Sequence, residues 1–291
     1  MRIPKQLINT ILFLFLNCHL GCMGNSITEN EILLPNRQIH GSVRLSDNQS
    51  NVGVYVWLEG FNIGTRTDSQ GKFQITLPPQ GSSGGITGAF NLFYYMANFV
   101  LASTPVFIQN GEFVYSIGEI DSRGELSSPK FLLQNLFIET RVNPSSVSLS
   151  DLSEAGDQFV IVRVDVILQA PVDSVIVFFP VLVNDTYGPL IFRNIDTNEV
   201  SIFGTTITEL VVSDLDTIDA VPTTRIMALK LERNALEPGE YEIVPYLLVK
   251  EPGVPAQLIA SLGQRVEELG PNYLNIPFRR QGDNRFLKVS D

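Results

Sequence analysis

The sequence predicts an all-β protein, with two β-sandwich domains in series behind a leader that is removed on export. Three observations carry this. Apolar residues recur with period two in successive short runs, turn residues separate those runs, and long amphipathic helical patterns are missing. The chain has 291 residues, room for about two domains at roughly 100 to 200 residues each. Hydrophobic residues make up 44% and charged residues 18%, which excludes a highly charged disordered chain. Lys+Arg 20 against Asp+Glu 31 gives a formal charge of -11, so phosphate-coated partners are repelled and nucleic acid is not an expected partner.

Residues 1–21 read as a signal peptide. Arg2 and Lys5 give a positive start, and Leu7 to Leu16 (LINTILFLFL) forms the apolar stretch, broken only by Asn9 and Thr10. A membrane-spanning helix needs about 20 apolar residues, and Asn17 and His19 arrive too early to allow it. Val172 to Val183 falls short as well, since it carries Asp173, Ser174 and Pro180. Both cysteines, Cys18 and Cys22, stand at the end of the leader, so the mature body has no internal disulfide.

The stretch Leu20-Gly21-Cys22 resembles the lipobox of bacterial lipoproteins, with a departure at His19, where that family usually has leucine. The resemblance implies that Cys22 is the lipidation site and the first mature residue, with a diacylglyceryl thioether and an acylated amine. One acyl chain binds a bilayer only marginally, with a partition constant of about 10⁴ M⁻¹, whereas several chains hold stably. Cys18 fits less well, because bulky Asn17 would sit at the scissile side. An ordinary secretory signal cleaved near Gly24 would instead give a free product. Residues 22–36, polar and ending near Pro35, read as a tether.

Residues 37–141 read as the first sandwich. In Gln38 to Leu45, Ile39, Val43 and Leu45 alternate with polar residues. In Val52 to Glu59, the positions Val52, Val54, Val56 and Leu58 share one face, and Lys72 to Leu77 puts Phe73, Ile75 and Leu77 inward. Before that strand, Asp68 can cap a turn through its side chain and Gly71 can take the positive φ that closes a hairpin. The segment Phe90 to Phe99, apolar on both faces, reads as a central strand. Gly41-Ser42-Val43, the Gly53 to Leu58 strand, the Thr67-Asp68-x-x-Gly71-x-Phe73 turn and Leu77-Pro78 together resemble the carboxypeptidase regulatory-like domain. That resemblance covers residues 37 to about 118 and implies a transthyretin-type β-sandwich.

The Pro/Ser-rich stretch Val142 to Ser146 marks the expected boundary, and residues 147–291 read as the second sandwich. Phe159 to Leu168 alternates cleanly. Val175 to Val183 suits an interior strand, with Pro180 demanding a bulge or an edge. Glu237-Pro238-Gly239-Glu240 is a turn signal, and the pattern through Tyr241 resembles the tyrosine corner of immunoglobulin-like sandwiches. Ile259 to Leu269 alone looks helical, and Gly270-Pro271 stops it.

Chemistry-bearing residues are few. The chain has two histidines, of which His19 leaves with the leader, and His40 alternates onto a solvent face. A zinc carboxypeptidase needs a second histidine beside a glutamate, so the resemblance extends to the regulatory domain without its enzyme. Sequence motifs of the common hydrolases and nucleotide-binding loops are missing, and no cofactor is expected. Two carboxylates acting as acid and base need no histidine, but the sequence pairs none. Asp214, Asp216 and Asp219 could offer oxygen ligands to Ca²⁺, although they lack the glycine and distal glutamate of the EF-hand loop and equally suit a solvated acidic loop. Tyr55 and Trp57 alternate onto the face opposite Val54 and Val56. Two rings there could stack on a sugar or fill a partner's pocket, or pack beneath another element of the same fold.

These readings lead to an expected function. The protein is a lipid-anchored, non-catalytic envelope protein, held to the bilayer through acylated Cys22, whose sandwiches meet an envelope protein or a neutral glycan. The alternative is an accessory lipoprotein subunit of an outer-membrane transport or secretion complex. By the family analogy Met23, not the aspartate that retains lipoproteins at the inner membrane of some bacteria, follows the cysteine, so the outer membrane is the expected location.

Overall fold

The structure is a computed structural model describing residues 35–79, 85–152, 159–182, 186–203 and 212–291. The expected leader, Cys22 and nearly all of the expected tether therefore lie outside the described residues. Among the described residues the protein is dominated by strands, and no helix is long and apolar enough to cross a membrane.

The first eight strands are β1 (Gln38–Leu45), β2 (Tyr55–Leu58), β3 (Ile63–Arg66), β4 (Lys72–Thr76), β5 (Gly88–Tyr95), β6 (Ala102–Gln109), β7 (Glu112–Phe113) and β8 (Lys130–Leu132). They form a three-stranded sheet in the order β4-β1-β8 and a five-stranded sheet in the order β3-β2-β5-β6-β7. Alternation explains the packing between them. Ile39, Val43, Phe73 and Ile75 from the small sheet meet Val56, Leu58, Leu92 and Tyr94 from the larger in one buried cluster.

Two expectations are corrected in this half. The strand expected from Val52 begins at Tyr55, because Gly53 takes φ 85 and turns the chain, leaving Val52 exposed. The Thr67–Phe73 turn has the expected local chemistry. Asp68 Oδ1 accepts the amides of Gln70 at 2.8 Å and Lys72 at 2.9 Å. Gly71 sits at φ 77, where an added Cβ would lie 2.4 Å from the Val43 carbonyl oxygen. Yet the turn does not close a hairpin. β3 pairs with β2 while β4 pairs with β1, so the turn carries the chain from one sheet to the other.

The remaining strands are β9 (Phe137–Asn143), β10 (Ser146–Ser148), β11 (Val160–Gln169), β12 (Val175–Leu182), β13 (Thr186–Tyr187), β14 (Leu190–Asn194), β15 (Val200–Phe203), β16 (Val212–Ile218), β17 (Thr223–Leu231), β18 (Gly239–Pro245), β19 (Leu248–Lys250) and β20 (Phe286–Ser290). One sheet runs β10-β20-β18-β14-β15. The other runs β16-β12-β13-β17-β11-β9, with β19 also on β12. Their facing residues share a second cluster, in which Val162, Val164, Val166 and Leu168 of β11 meet Phe192, Ile243 and Leu287. At Pro180 the flank of β12 away from β16 changes partner, from β19 up to Phe178 to β13 from Val181. A residue without an amide donor fits that break. Tyr241 donates its hydroxyl to the Glu237 carbonyl at 2.8 Å, four residues upstream.

The expected boundary at 142–146 is also corrected. β9 pairs along its length with β11, so the chain has joined the later sheets by Phe137. The expected helix over Ile259–Leu269 is displaced. Helix α1 spans Ala256–Ser261, and Gly263 at φ 143 ends helical continuation long before Gly270.

Nor are the halves separate beads, since Asn36–Asp291 form a single compact unit. A third buried cluster lies between the sheet pairs. Tyr55, Trp57, Tyr95 and Ala97 contribute from the first, Ile191, Val244 and Tyr246 from the second, and Leu258, Val266, Tyr273 and Ile276 from the chain after β19. β2 is therefore buried on both faces, which is why its residues are apolar without interruption.

Candidate binding cleft

The seam cluster decides the fate of the expected aromatic surface. Trp57 is 2% exposed and Tyr55 8% exposed. Their rings do lie on the face opposite Val54 and Val56, but that face is covered. Tyr55 hydrogen-bonds Ser261 of α1 at 2.9 Å and Trp57 lies 6.0 Å from Phe93 between ring centroids. An external sugar or partner cannot stack on them, and the expected role as a binding surface is corrected.

The acidic run is dispersed as well. Asp216 forms an ion pair with Arg225, and Asp219 Oδ1 accepts the Val221 amide at 2.8 Å in a turn. The Asp214 side chain lies outside the described residues. Among the described residues no group of three His, Cys, Asp or Glu side chains could hold a metal ion. His40 is half-buried, with its backbone bridged to Glu125.

The cleft that the structure does build lies beside the seam, where β19 runs into α1. Pro252 and Gly253 (φ 82) reverse the chain after Glu251, α1 forms one side, and the segment from Gly263 to Glu268 returns along the other. They bound a cavity of about 830 Å³ lined by Val249, Val254, Ile259 and Val266, with Tyr95 reaching in from β5. That size falls within the roughly 300–1,000 Å³ usual for small-molecule sites.

Glu251 stands at its edge and also borders a second cavity of about 350 Å³, around which Val100, Leu133, Val172 and Ile176 remain exposed. The Glu251 carboxylate joins the two halves of the molecule. It accepts the Leu101 amide at 3.2 Å and the Asn135 side-chain amide at 2.6 Å. Burial raises its pKa above the ordinary carboxylate value, and these two hydrogen bonds oppose the rise. Across the larger cavity, Arg265 pairs with Glu268 at the surface, whereas Glu267 has no ion pair among the described residues.

Tyr95 is 5% exposed, and its hydroxyl makes no hydrogen bond among the described residues. Burial raises its pKa first, and the charges of Glu267 and Glu251 raise it further. The phenol therefore stays protonated near neutral pH, with its oxygen lone pairs free to accept. Tyr246 sits nearby with its hydroxyl donated to the Glu267 carbonyl, and burial with the neighbouring Tyr273 pushes its pKa up to about 12.

Tyr95, Glu251 and Glu267 were not legible as a group. Tyr95 lies in a run that reads as core, and the two glutamates flank a Pro-Gly turn and a short helix whose folding alone brings them together. The only local hint is that Glu251 and Glu267 bracket a stretch from Val254 to Val266 in which Val, Leu, Ile and Ala predominate.

No protein-family model and no curated protein matches the chain. Among solved structures it is similar to the Bacillus anthracis TIE protein, with 10% identity, coverage of 69% of this chain and 32% of that one, and a TM-score of 0.21. It is also similar to CBD12 from CALX1.2, with 11% identity, coverage of 87% of this chain and 99% of that one, and a TM-score of 0.20. The chain spans about a third of the TIE protein's length. Likeness at this level carries no argument about function.

Proposed function

We propose that the protein is a lipid-anchored, non-catalytic component of a bacterial envelope, outer membrane preferred, whose β-sandwich domains bind a partner rather than transform a substrate. The observation that carries the reading is Cys22. It is the last cysteine of the chain and stands directly after a short apolar leader in Leu20-Gly21-Cys22. A transthyretin-type first domain is supported by the Asp68 and Gly71 turn. An immunoglobulin-like second domain is supported by the Tyr241 hydroxyl bonded to the Glu237 carbonyl, the geometry of a tyrosine corner. The binding role is supported by the cleft beside α1, which combines an apolar wall with a few converging polar groups.

The test is the mass of the mature N-terminus together with fractionation of Cys22→Ala. The parent protein should carry acyl chains and need detergent for extraction, and the variant should be recovered in the aqueous phase. Membrane partitioning unchanged by the substitution would refute the anchor.

A further inference from the structure

The larger cavity gathers acceptors that the fold uses only in part: the Glu251 carboxylate takes two hydrogen bonds, while the Tyr95 hydroxyl and the Glu267 carboxylate take none among the described residues. Tyr95 is almost entirely enclosed, yet its hydroxyl has no hydrogen-bond partner among the described residues, and it lines the cavity. The oxygen itself opens onto the cavity rather than into the packed interior, so a ligand seated there has access to it. The neighbouring Tyr273 shows the contrast: its hydroxyl accepts the Leu247 amide at 3.2 Å and donates to the Leu247 carbonyl at 2.7 Å.

The Glu251 and Glu267 side chains line the cavity together with Tyr95, and the charge of each bears on its hydroxyl. The remaining charges around the cavity offset them only in part. Arg265 is taken by Glu268. Lys250 is exposed at the end of β19 and makes no ion pair among the described residues. The walls between these groups are Val249, Val254, Ile259 and Val266.

We infer that this cleft binds an aliphatic ammonium ion, its three N–H donors shared among the Tyr95 hydroxyl oxygen and the Glu251 and Glu267 carboxylates, its carbon chain along the apolar wall. An ammonium carries three donors and no acceptor, matching a site that offers acceptors from three side chains. The lysine side chain of a protein partner and a free alkylamine share this chemistry. The inference rests on the binding role proposed above but not on the anchor, so it is tested on the Cys22→Ala protein without membranes, where failure of one reading leaves the other standing.

The experiment is calorimetric titration with n-hexylammonium, n-hexanol and n-hexanoate, followed by an N-acetylated, C-amidated peptide carrying one lysine between apolar residues. The ammonium should bind at least roughly tenfold more tightly than the alcohol, the scale of one charge-assisted hydrogen bond, and hexanoate should be weakest. Tyr95→Phe removes one oxygen and no hydrogen bond of the fold. It should weaken hexylammonium roughly tenfold and leave hexanol unchanged. Glu267→Gln should do the same, and Lys250→Ala, which removes a competing cation, should tighten binding a few-fold. Peptide binding tighter than hexylammonium and lost in the same variants identifies a protein partner as the source. Peptide weaker than hexylammonium identifies a free amine. Equal binding of alcohol and ammonium, or a Tyr95→Phe protein that binds hexylammonium like its parent, overturns the inference.

Discussion

Two stretches of the seam between the sheet pairs solve the same problem in different ways. Along one, the chain after α1 returns to the first sheets through a dense set of bonds. Asn98, fully buried, gives its amide hydrogens to the carbonyls of Leu136 at 2.9 Å and Arg279 at 2.8 Å, and accepts the Arg279 amide at 2.9 Å. Arg279 reaches Asp47 at 3.1 Å and donates to the Ser50 carbonyl, while Arg66 donates to the Asn275 carbonyl. Along the other, beside α1, Tyr95 and Glu267 face a cavity, and the crossings are the Glu251 carboxylate and the Tyr55 hydroxyl on Ser261. The same clamping chain thus leaves a closed, densely bonded joint in one place and one open to a cavity in another. The difference teaches that one covering segment can lock part of a seam and leave polar atoms accessible along the rest.

The comparison is broken most severely at the closed joint. Asp47→Ala leaves Arg279 enclosed without its carboxylate, and denaturant unfolding should show a loss of about 3 kcal/mol, the scale of orphaning one member of a buried pair. A loss under about 1 kcal/mol would mean that the joint is looser than its distances suggest. A matched pair of phenols sharpens the contrast. Tyr273→Phe removes a hydroxyl with two backbone partners and should cost about 1–2 kcal/mol. Tyr95→Phe should change stability by less than about 0.5 kcal/mol, because its hydroxyl bonds nothing in the fold. Equal losses in the two variants would erase the distinction.

The smallest effect is a dependence on pH. Burial raises the Glu251 pKa in the folded protein, so below the ordinary carboxylate value both states are protonated and the group is neutral to stability. As pH rises from there through the raised folded value, the unfolded chain releases its proton more readily than the folded one, and stability falls. Relative to Glu251→Gln, which cannot ionise, the parent should lose ground over that window. Parallel melting temperatures from pH 4 to pH 8 would rule this out.

Much of the strand content was legible in local pattern. β11 is the clearest example, since Val162, Val164, Val166 and Leu168 alternate and all four are fully buried. The Asp68 and Gly71 turn was legible for the same reason, its chemistry lying within five residues. What failed was long-range. Alternation put Tyr55 and Trp57 on the correct face of β2, but Ser261, the residue that bonds Tyr55, lies 206 positions away. No local signal announces such a cover. The boundary failed because β9 has the same alternation whichever sheet it joins, and only its pairing with β11 assigns it. The cleft was invisible because Tyr95 and Glu251 meet only after both sheet pairs and the seam have formed.

The position of the seam's covering chain also bears on synthesis. Tyr273, Ile276, the Pro277 carbonyl that accepts the Ala97 amide and the Arg279 amide that bonds Asn98 belong to a segment far along the chain from the strands it covers, 181 residues in the case of Asn98 and Arg279. A polypeptide that has not yet reached Tyr273 therefore cannot finish enclosing Trp57, however complete its early sheets. The aromatic side of β2 stays wet until that segment has been made, and the nascent protein carries a sticky surface that the folded one does not.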